Sequence, residues 1–150
     1  MAPRGVPAHI TLVFPFVPAA ELGPVQRRRI ARIVGSIAPF ELHLDDVRRF
    51  PSSLYLAPTP RVPILELIAA IVDAFPEHQP YEGAFDEVIP HLTVAAGIDE
   101  RSMSSLEPML RALLPIAVNV RAVTVLAEDA EEAWRPLWRV PLGDGGPQLR

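Results

Sequence analysis

The stretches AHITLVF at residues 8–14 and VIPHLTVAA at residues 88–96 are the most informative parts of the sequence, because each combines a buried-strand pattern with the same short motif. Both are rich in apolar and β-branched residues, which predicts one strand at 8–14 and another at 88–96. In each stretch a histidine is followed two positions later by a threonine: His9 with Thr11, and His91 with Thr93. Side chains two positions apart lie on the same face of a strand. Each strand is therefore expected to present an imidazole and a hydroxyl together.

The residues between these polar positions are expected to anchor the strands in a core. They are apolar and point to the opposite face: Ile10, Leu12, Leu92 and Val94. The two histidines are 82 residues apart (positions 9 and 91). A spacing that long, occurring only twice, does not indicate a solenoid. The pair of motifs instead indicates two similar lobes that face each other.

The rest of the chain predicts the same order of elements in both halves. Apolar residues at helical spacing predict helices at 18–37, 63–75 and 99–114. Alternating or β-rich stretches predict strands at 40–47, 53–57, 116–127 and 134–142. Asp99 or Ser102 is expected to cap the third helix. We therefore expect strand–helix–strand–strand–helix followed by strand–helix–strand–strand, in a single domain spanning residues 1–150.

The composition is typical of one folded domain. The 150 residues are 49% apolar and 21% charged, which argues against global disorder. The chain has no cysteine, and therefore neither disulfides nor a thiol nucleophile. The formal net charge is −4, although the chain has 14 basic residues, all of them arginine. An acidic chain is a poor match for long nucleic acids, but a local site can still bind a short or terminal phosphate.

The sequence shows no secretion signal at its N-terminus. The most apolar helical run, residues 62–75, contains Glu66 and Asp73 and is too short to span a bilayer. We therefore expect a cytoplasmic protein that has no membrane contact and is a monomer.

Two opposed His–Thr pairs can supply an acid and a base at phosphorus. Histidine titrates near pH ~6.5, so one imidazole can be neutral while the other is protonated. The neutral ring can take a proton from water, and the protonated ring can donate to a leaving oxygen. The threonine hydroxyls can hydrogen-bond the non-bridging oxygens, whose charge grows in the transition state. Such a site needs no cofactor, and the four dispersed histidines lack the ligand spacing of a zinc site.

Taken with these motifs, the sequence resembles the two-histidine phosphoesterases, in particular their bacterial 2′-5′ RNA ligase-like branch with cyclic phosphodiesterase activity. The stretches that carry the resemblance are HITLVFPF at 9–16, FELHLDDVRRFPSSLYLAPTP at 40–60, YEGAFDEVIPHLTVAAG at 81–97 and WRPLWRVPLG at 134–143. The resemblance implies a bilobal α+β fold in which two antiparallel sheets line a central cleft, with helices on the outer faces. It also implies that His9 and His91 are the acid–base pair and that Thr11 and Thr93 bind phosphate.

The chain departs from some members of that family directly after the second motif. Where they carry an arginine, this sequence has Ala95, Ala96 and Gly97. The phosphate charge must then be met by the histidines, the threonine hydroxyls, backbone N–H groups, or an arginine from elsewhere in the chain.

Two aromatic residues are candidates for contact with a nucleobase. Phe50, which follows Arg48 and Arg49, and Tyr55 could stack on a base at the mouth of the cleft. Ordinary packing at a strand end is the alternative interpretation.

The leading functional prediction is metal-independent hydrolysis of a 2′,3′-cyclic phosphate or a related small cyclic or 2′-5′ phosphodiester. The expected substrate is a small nucleotide or an RNA end. A non-catalytic protein that holds nucleotides or RNA ends in the same cleft is the alternative, and a metal-dependent hydrolase is a third possibility that a chelator would reveal. Catalysis needs both histidines, whereas a binder tolerates the loss of one. The sequence leaves open which histidine is the acid.

Overall fold

The computed structural model describes residues 8–78 and 88–143. Within these ranges the chain folds into three α-helices and two antiparallel sheets, which confirms the predicted α+β class. The elements in chain order are α1 (Pro24–Gly35), β1 (Phe40–Phe50), β2 (Ser53–Thr59), α2 (Val62–Ala74), β3 (Leu92–Ala96), α3 (Glu100–Arg111), β4 (Ile116–Val120), β5 (Ala122–Glu128) and β6 (Trp134–Pro141). A short 3-10 helix, Ala19–Glu21, precedes α1.

The second motif segment pairs with a strand from the first half of the chain. One sheet has the strand order β3-β2-β1-β4, and the other consists of the hairpin β5-β6. β3 contains Thr93 of the second motif, and it pairs with β2 of the first half. Phe14, at the end of the first motif segment, meets Trp134 of β6 edge-on, with ring centroids 5.8 Å apart. The second motif segment therefore joins the hairpin of the first half by strand pairing, whereas the first motif segment contacts the hairpin of the second half through a side chain.

The prediction of a strand at residues 8–14 was wrong. The backbone of this segment is irregular. Ile10 and Leu12 nevertheless pack against the core, as the apolar pattern predicted. Such a pattern reports which side chains are buried, not whether the backbone has a partner strand. The second stretch becomes a strand only from Leu92. Pro90 has no N–H to donate to a ladder, so the predicted start at residue 88 was wrong.

The strand predicted at 116–127 is in fact two strands, β4 and β5, which belong to different sheets. β4 pairs with the first residues of β1, and this pairing ends where Val120 meets Phe40, the residue at which β1 begins. The chain then crosses to the second sheet at Arg121. The N–H of Leu142, directly after β6, donates to the carbonyl of Arg121 at 2.8 Å. This hydrogen bond connects the end of β6 to the point where the chain changes sheets.

The helices begin where the sequence supplies a start signal. α1 begins at Pro24 rather than at the predicted residue 18, because proline suits the first helical position and Gly23 before it is extended. α2 has Pro63 in its first turn. Asp99, one of the two predicted caps of α3, accepts a hydrogen bond from the Ser102 N–H at 2.8 Å.

Two hydrophobic clusters join these elements. The first cluster contains Leu22, Ile30, Val34, Leu67, Ile71, Phe75, Val140 and Leu142. The second cluster contains Leu42, Leu44, Val47, Leu54, Leu56, Ile64, Ile68 and Met103. Residues of α2 and α3 in the second cluster cover one face of the four-stranded sheet, and we call the opposite face the open face. Among the described helices, none is long and apolar enough to cross a membrane.

Candidate functional site

His91 lies directly before β3, and its imidazole is held by the main chain. Nδ1 is 2.7 Å from the carbonyl oxygen of Ile89. A carbonyl can only accept, so Nδ1 must carry the proton of this hydrogen bond. The neutral ring therefore has its lone pair on Nε2, and the protonated ring donates from Nε2. In either state Nε2 is the nitrogen available to a substrate.

The ring of His91 packs against two aromatic side chains. Phe50 and Tyr55 are stacked on each other with centroids 4.4 Å apart. His91 stands edge-on to both, at 5.1 Å from Phe50 and 5.6 Å from Tyr55, within the range of favourable aromatic pairs. Tyr55 is only 4% exposed, whereas Phe50 is half-buried. Both predicted base-contacting residues thus lie beside His91.

Thr93 lies on the open face beside Tyr55. The two residues are cross-strand partners, and directly opposed residues share a face. Tyr55 points away from the helices, because its neighbours Leu54 and Leu56 belong to the second cluster. The pairing shifts after this point so that Val94 has no partner in the register. This bulge explains why Val94 is 39% exposed, contrary to its predicted place in the core.

The first motif is carried by irregular backbone. His9 and Thr11 are both half-buried. Ile10 packs against the second cluster, and so does Leu92 of the second motif. The two motif segments therefore border the same part of the core, although they come from opposite halves of the chain.

An ion-pair network that sequence reasoning missed holds α3 against β1. Arg49 donates from Nε to Glu107 at 2.9 Å and from Nη1 to both carboxylate oxygens of Glu100 at 2.8 Å. Arg111 donates from Nη1 to Asp46 at 2.8 Å and from Nη2 to the carbonyl of Val47 at 2.9 Å. The spacing of acidic and basic residues along α3 was a usable signal, since positions three and four apart share a helix face.

The network also shifts the acidities of its members. Hydrogen bonds from Arg49 are the main cause that lowers the pKa of Glu100 and of Glu107. A hydrogen bond from Arg111 is the main cause that lowers the pKa of Asp46. These carboxylates therefore stay charged to a lower pH than usual, which preserves the network in mildly acidic solution.

Within residues 8–78 and 88–143, no three histidine, aspartate or glutamate side chains are grouped as a metal ion would require.

Comparison with known proteins places this architecture in a family. The chain is similar to TT0787 of Thermus thermophilus, whose crystal structure matches with a TM-score of 0.58 and 16% sequence identity, over 94% of this chain and 83% of that chain. At that identity the likeness shows the fold alone. No curated protein matches the sequence. A family model described as the 2′-5′ RNA ligase superfamily matches residues 2–132, which include both motifs and every element before β6. The chain therefore belongs to the 2′-5′ RNA ligase superfamily.

Proposed function

We propose that this protein is a cytoplasmic, monomeric phosphodiesterase that hydrolyses 2′,3′-cyclic phosphates, or related small cyclic or 2′-5′ phosphodiesters, with His9 and His91 as the acid–base pair. Membership of the superfamily supports an activity of the phosphoesterase or ligase type. The observation that carries the finer proposal is the contact between His91 Nδ1 and the Ile89 carbonyl. It leaves Nε2 as the atom that exchanges protons with a substrate.

In the proposed reaction, water attacks phosphorus on the side opposite the leaving 2′ or 3′ oxygen. The neutral imidazole of one motif takes a proton from the water as the new P–O bond forms. The imidazolium of the other motif gives its proton to the leaving oxygen as the ring P–O bond breaks. The product is an open phosphomonoester, and the two histidines have exchanged protonation states.

Thr11 and Thr93 are proposed to bind the phosphate. Each hydroxyl is two residues from its histidine, so one short segment supplies both a proton-transfer group and a hydrogen-bond donor. Donors that are fixed before the reaction favour the charge that builds on the non-bridging oxygens.

Phe50 is proposed to contact the base, with Tyr55 as its support. The buried ring of Tyr55 is stacked on Phe50, whereas the half-buried ring of Phe50 retains accessible surface. Stacking on an aromatic ring is available to every base, so this contact favours nucleotides in general.

The proposal is tested by turnover of the four nucleoside 2′,3′-cyclic monophosphates in the presence of a chelator. Wild type is compared with His9→Ala, His91→Ala and the control His43→Ala, whose histidine is exposed on β1 outside both motifs. We expect turnover by wild type and His43→Ala, and a loss of about 10²–10⁴-fold in each motif variant. The wild-type rate should be bell-shaped in pH, because one imidazole must be neutral and the other protonated.

Other outcomes identify the alternatives. If wild type turns over none of these compounds but binds RNA ended in a cyclic phosphate, and loss of one histidine only weakens binding, the cleft is a binding site. If the chelator abolishes turnover, the reaction depends on a metal ion. Joining of a 5′-hydroxyl end to a cyclic phosphate end would show the same acid–base chemistry, with a sugar hydroxyl in place of water as the nucleophile.

A further inference from the structure

Arg48 lies in the same cross-strand row as the second motif. Arg48 of β1 is the partner of Tyr55 in β2, and Tyr55 is the partner of Thr93 in β3. Directly opposed residues share a face, so all three side chains project from the open face. Adjacent strands are about 4.8 Å apart, which places the backbone of Arg48 roughly 10 Å from that of Thr93. A long arginine side chain covers most of that distance.

The guanidinium of Arg48 uses only one of its nitrogens, Nε, in a hydrogen bond within the described residues. Its side chain is 60% exposed, and its Nε donates to Oδ2 of Asp46 at 3.1 Å. Among residues 8–78 and 88–143, neither Nη1 nor Nη2 of Arg48 has a hydrogen-bond partner. These two nitrogens are part of the planar fork with which arginine binds phosphate through paired hydrogen bonds.

The neighbouring arginines are already engaged. Arg49 is the cross-strand partner of Leu54, which places it on the helix-covered face, where Glu100 and Glu107 bind it. Arg111 binds Oδ1 of Asp46 at 2.8 Å. Asp46 Oδ1 also accepts from the N–H of Val47, so this carboxylate is held in place and can orient Arg48 through Oδ2.

We propose that Arg48 binds the phosphate of the substrate on the open face, next to Thr93 and His91. It supplies from β1 the positive charge that positions 95–97 lack, since these are Ala95, Ala96 and Gly97. The inference rests on the proposed function for the identity of the anion, a phosphodiester with a nucleoside attached. The hydrogen bond from Nε to Asp46 orients the guanidinium, while Nη1 and Nη2 donate to the non-bridging oxygens of the phosphate.

The test uses Arg48→Met, Arg48→Lys and the control Arg101→Met. Arg101 is exposed on α3, and it makes no hydrogen bond or ion pair with any residue of the described ranges. Two quantities are measured: kcat/KM for the preferred 2′,3′-cyclic nucleotide, and Kd by calorimetry for the matching nucleoside 2′- and 3′-monophosphates. The unfolding midpoint of each variant is checked against wild type, because loss of an exposed ion pair changes stability little.

We expect Arg48→Met to lower kcat/KM and to weaken monophosphate binding, each by about 10–100-fold, the effect of losing a hydrogen bond to a charged group. Arg48→Lys should recover part of the loss, because it keeps the charge without the fork. Arg101→Met should match wild type. Turnover by wild type with an Arg48→Met variant equal to Arg101→Met would overturn the role of Arg48 and leave the proposed function standing.

If wild type turns over no cyclic nucleotide, the Kd values for the nucleoside monophosphates test the role of Arg48 independently of catalysis. Monophosphate binding that Arg48→Met weakens supports the phosphate site while the proposed catalysis fails. Binding that is equal in both proteins, or absent from wild type, overturns the phosphate site as well.

Discussion

The imidazole of His91 is anchored by Ile89, whose carbonyl oxygen lies 2.7 Å from Nδ1. The acceptor belongs to the main chain, so the anchor contains no side chain that could titrate or rotate away. Phe50 and Tyr55 add two edge-on ring contacts. Orientation and tautomer are therefore set before a substrate arrives, which reduces the cost of positioning the proton-transfer group during the reaction.

Substitution of His91 by asparagine separates the anchor from the chemistry. The asparagine amide can still donate to the Ile89 carbonyl from near the position of Nδ1, but it offers nothing at the position of Nε2. We expect the unfolding midpoint of His91→Asn to match wild type and turnover of 2′,3′-cyclic nucleotides to fall by about 10²–10⁴-fold. Retention of more than a tenth of the wild-type rate would show that Nε2 of His91 does not transfer the proton.

Phe50 and Tyr55 are expected to differ in their effect on base preference. Stacking of a base on an aromatic ring contributes about 1–3 kcal/mol, so Phe50→Leu should raise KM by about 5–100-fold, and more for purine than for pyrimidine cyclic nucleotides. Tyr55→Phe keeps the ring stacked on Phe50 and should stay within about twofold of wild type. Steady-state kinetics on all four bases is the measurement. A fall in kcat without a rise in KM in Phe50→Leu would mean that Phe50 only supports His91.

The sequence predicted most of the fold because helices and hairpins leave local signals. Pro63 and Asp99 mark helix starts that the structure confirms. The errors fall where the outcome depends on a distant partner. Nothing near residue 121 indicates that β1 begins opposite Val120, and nothing in residues 8–14 shows that this segment lacks a ladder.

The candidate site was only partly visible in the sequence for the same reason. Strand alternation predicted that the side chains of His91 and Thr93 point the same way. The structure places Tyr55 opposite Thr93. The anchor at Ile89 and the row from Arg48 to Thr93 depend on backbone course and on register across three strands. Register is a property of pairing, so a bulge at Val94 can change which side chains face outward without any local warning.

The network between α3 and β1 should make stability depend on pH in the acid range. The pKa values of Asp46, Glu100 and Glu107 are lowered in the folded chain, so the unfolded chain binds more protons as pH falls. The stabilisation is complete above the ordinary values of 3.8 for aspartate and 4.5 for glutamate. It is lost as pH falls through the lower folded values. Urea unfolding midpoints should be flat near neutrality and should decrease below about pH 5.

The variant Arg49→Met tests the source of this dependence. It removes the hydrogen bonds that are the main cause of the lowered pKa of Glu100 and Glu107, so its urea midpoint should fall less between about pH 7 and about pH 3.5. Arg101→Met lies on the same helix without such partners in the described ranges and should follow wild type. Parallel curves for all three proteins would show that the network does not link stability to pH.

Gly143 and Gly35 form a matched pair of variants that tests the close approach of the segment after β6 to the end of α1. A Cβ at position 143 would collide with the carbonyl group of Gly35, whereas a Cβ at position 35 meets nothing within 4 Å. Gly143→Ala must therefore displace backbone, and it also disturbs the 3.0 Å hydrogen bond from its N–H to the Ile37 carbonyl. We expect a loss of about 1–3 kcal/mol in the free energy of unfolding, as for other forced contacts in packed regions.

Gly35→Ala, at the last residue of α1, should be unchanged or more stable by up to about 1 kcal/mol, since alanine is the better helix former. Chemical denaturation of both variants decides the point, and equal free energies of unfolding would show that the end of β6 does not pack against α1 in this way.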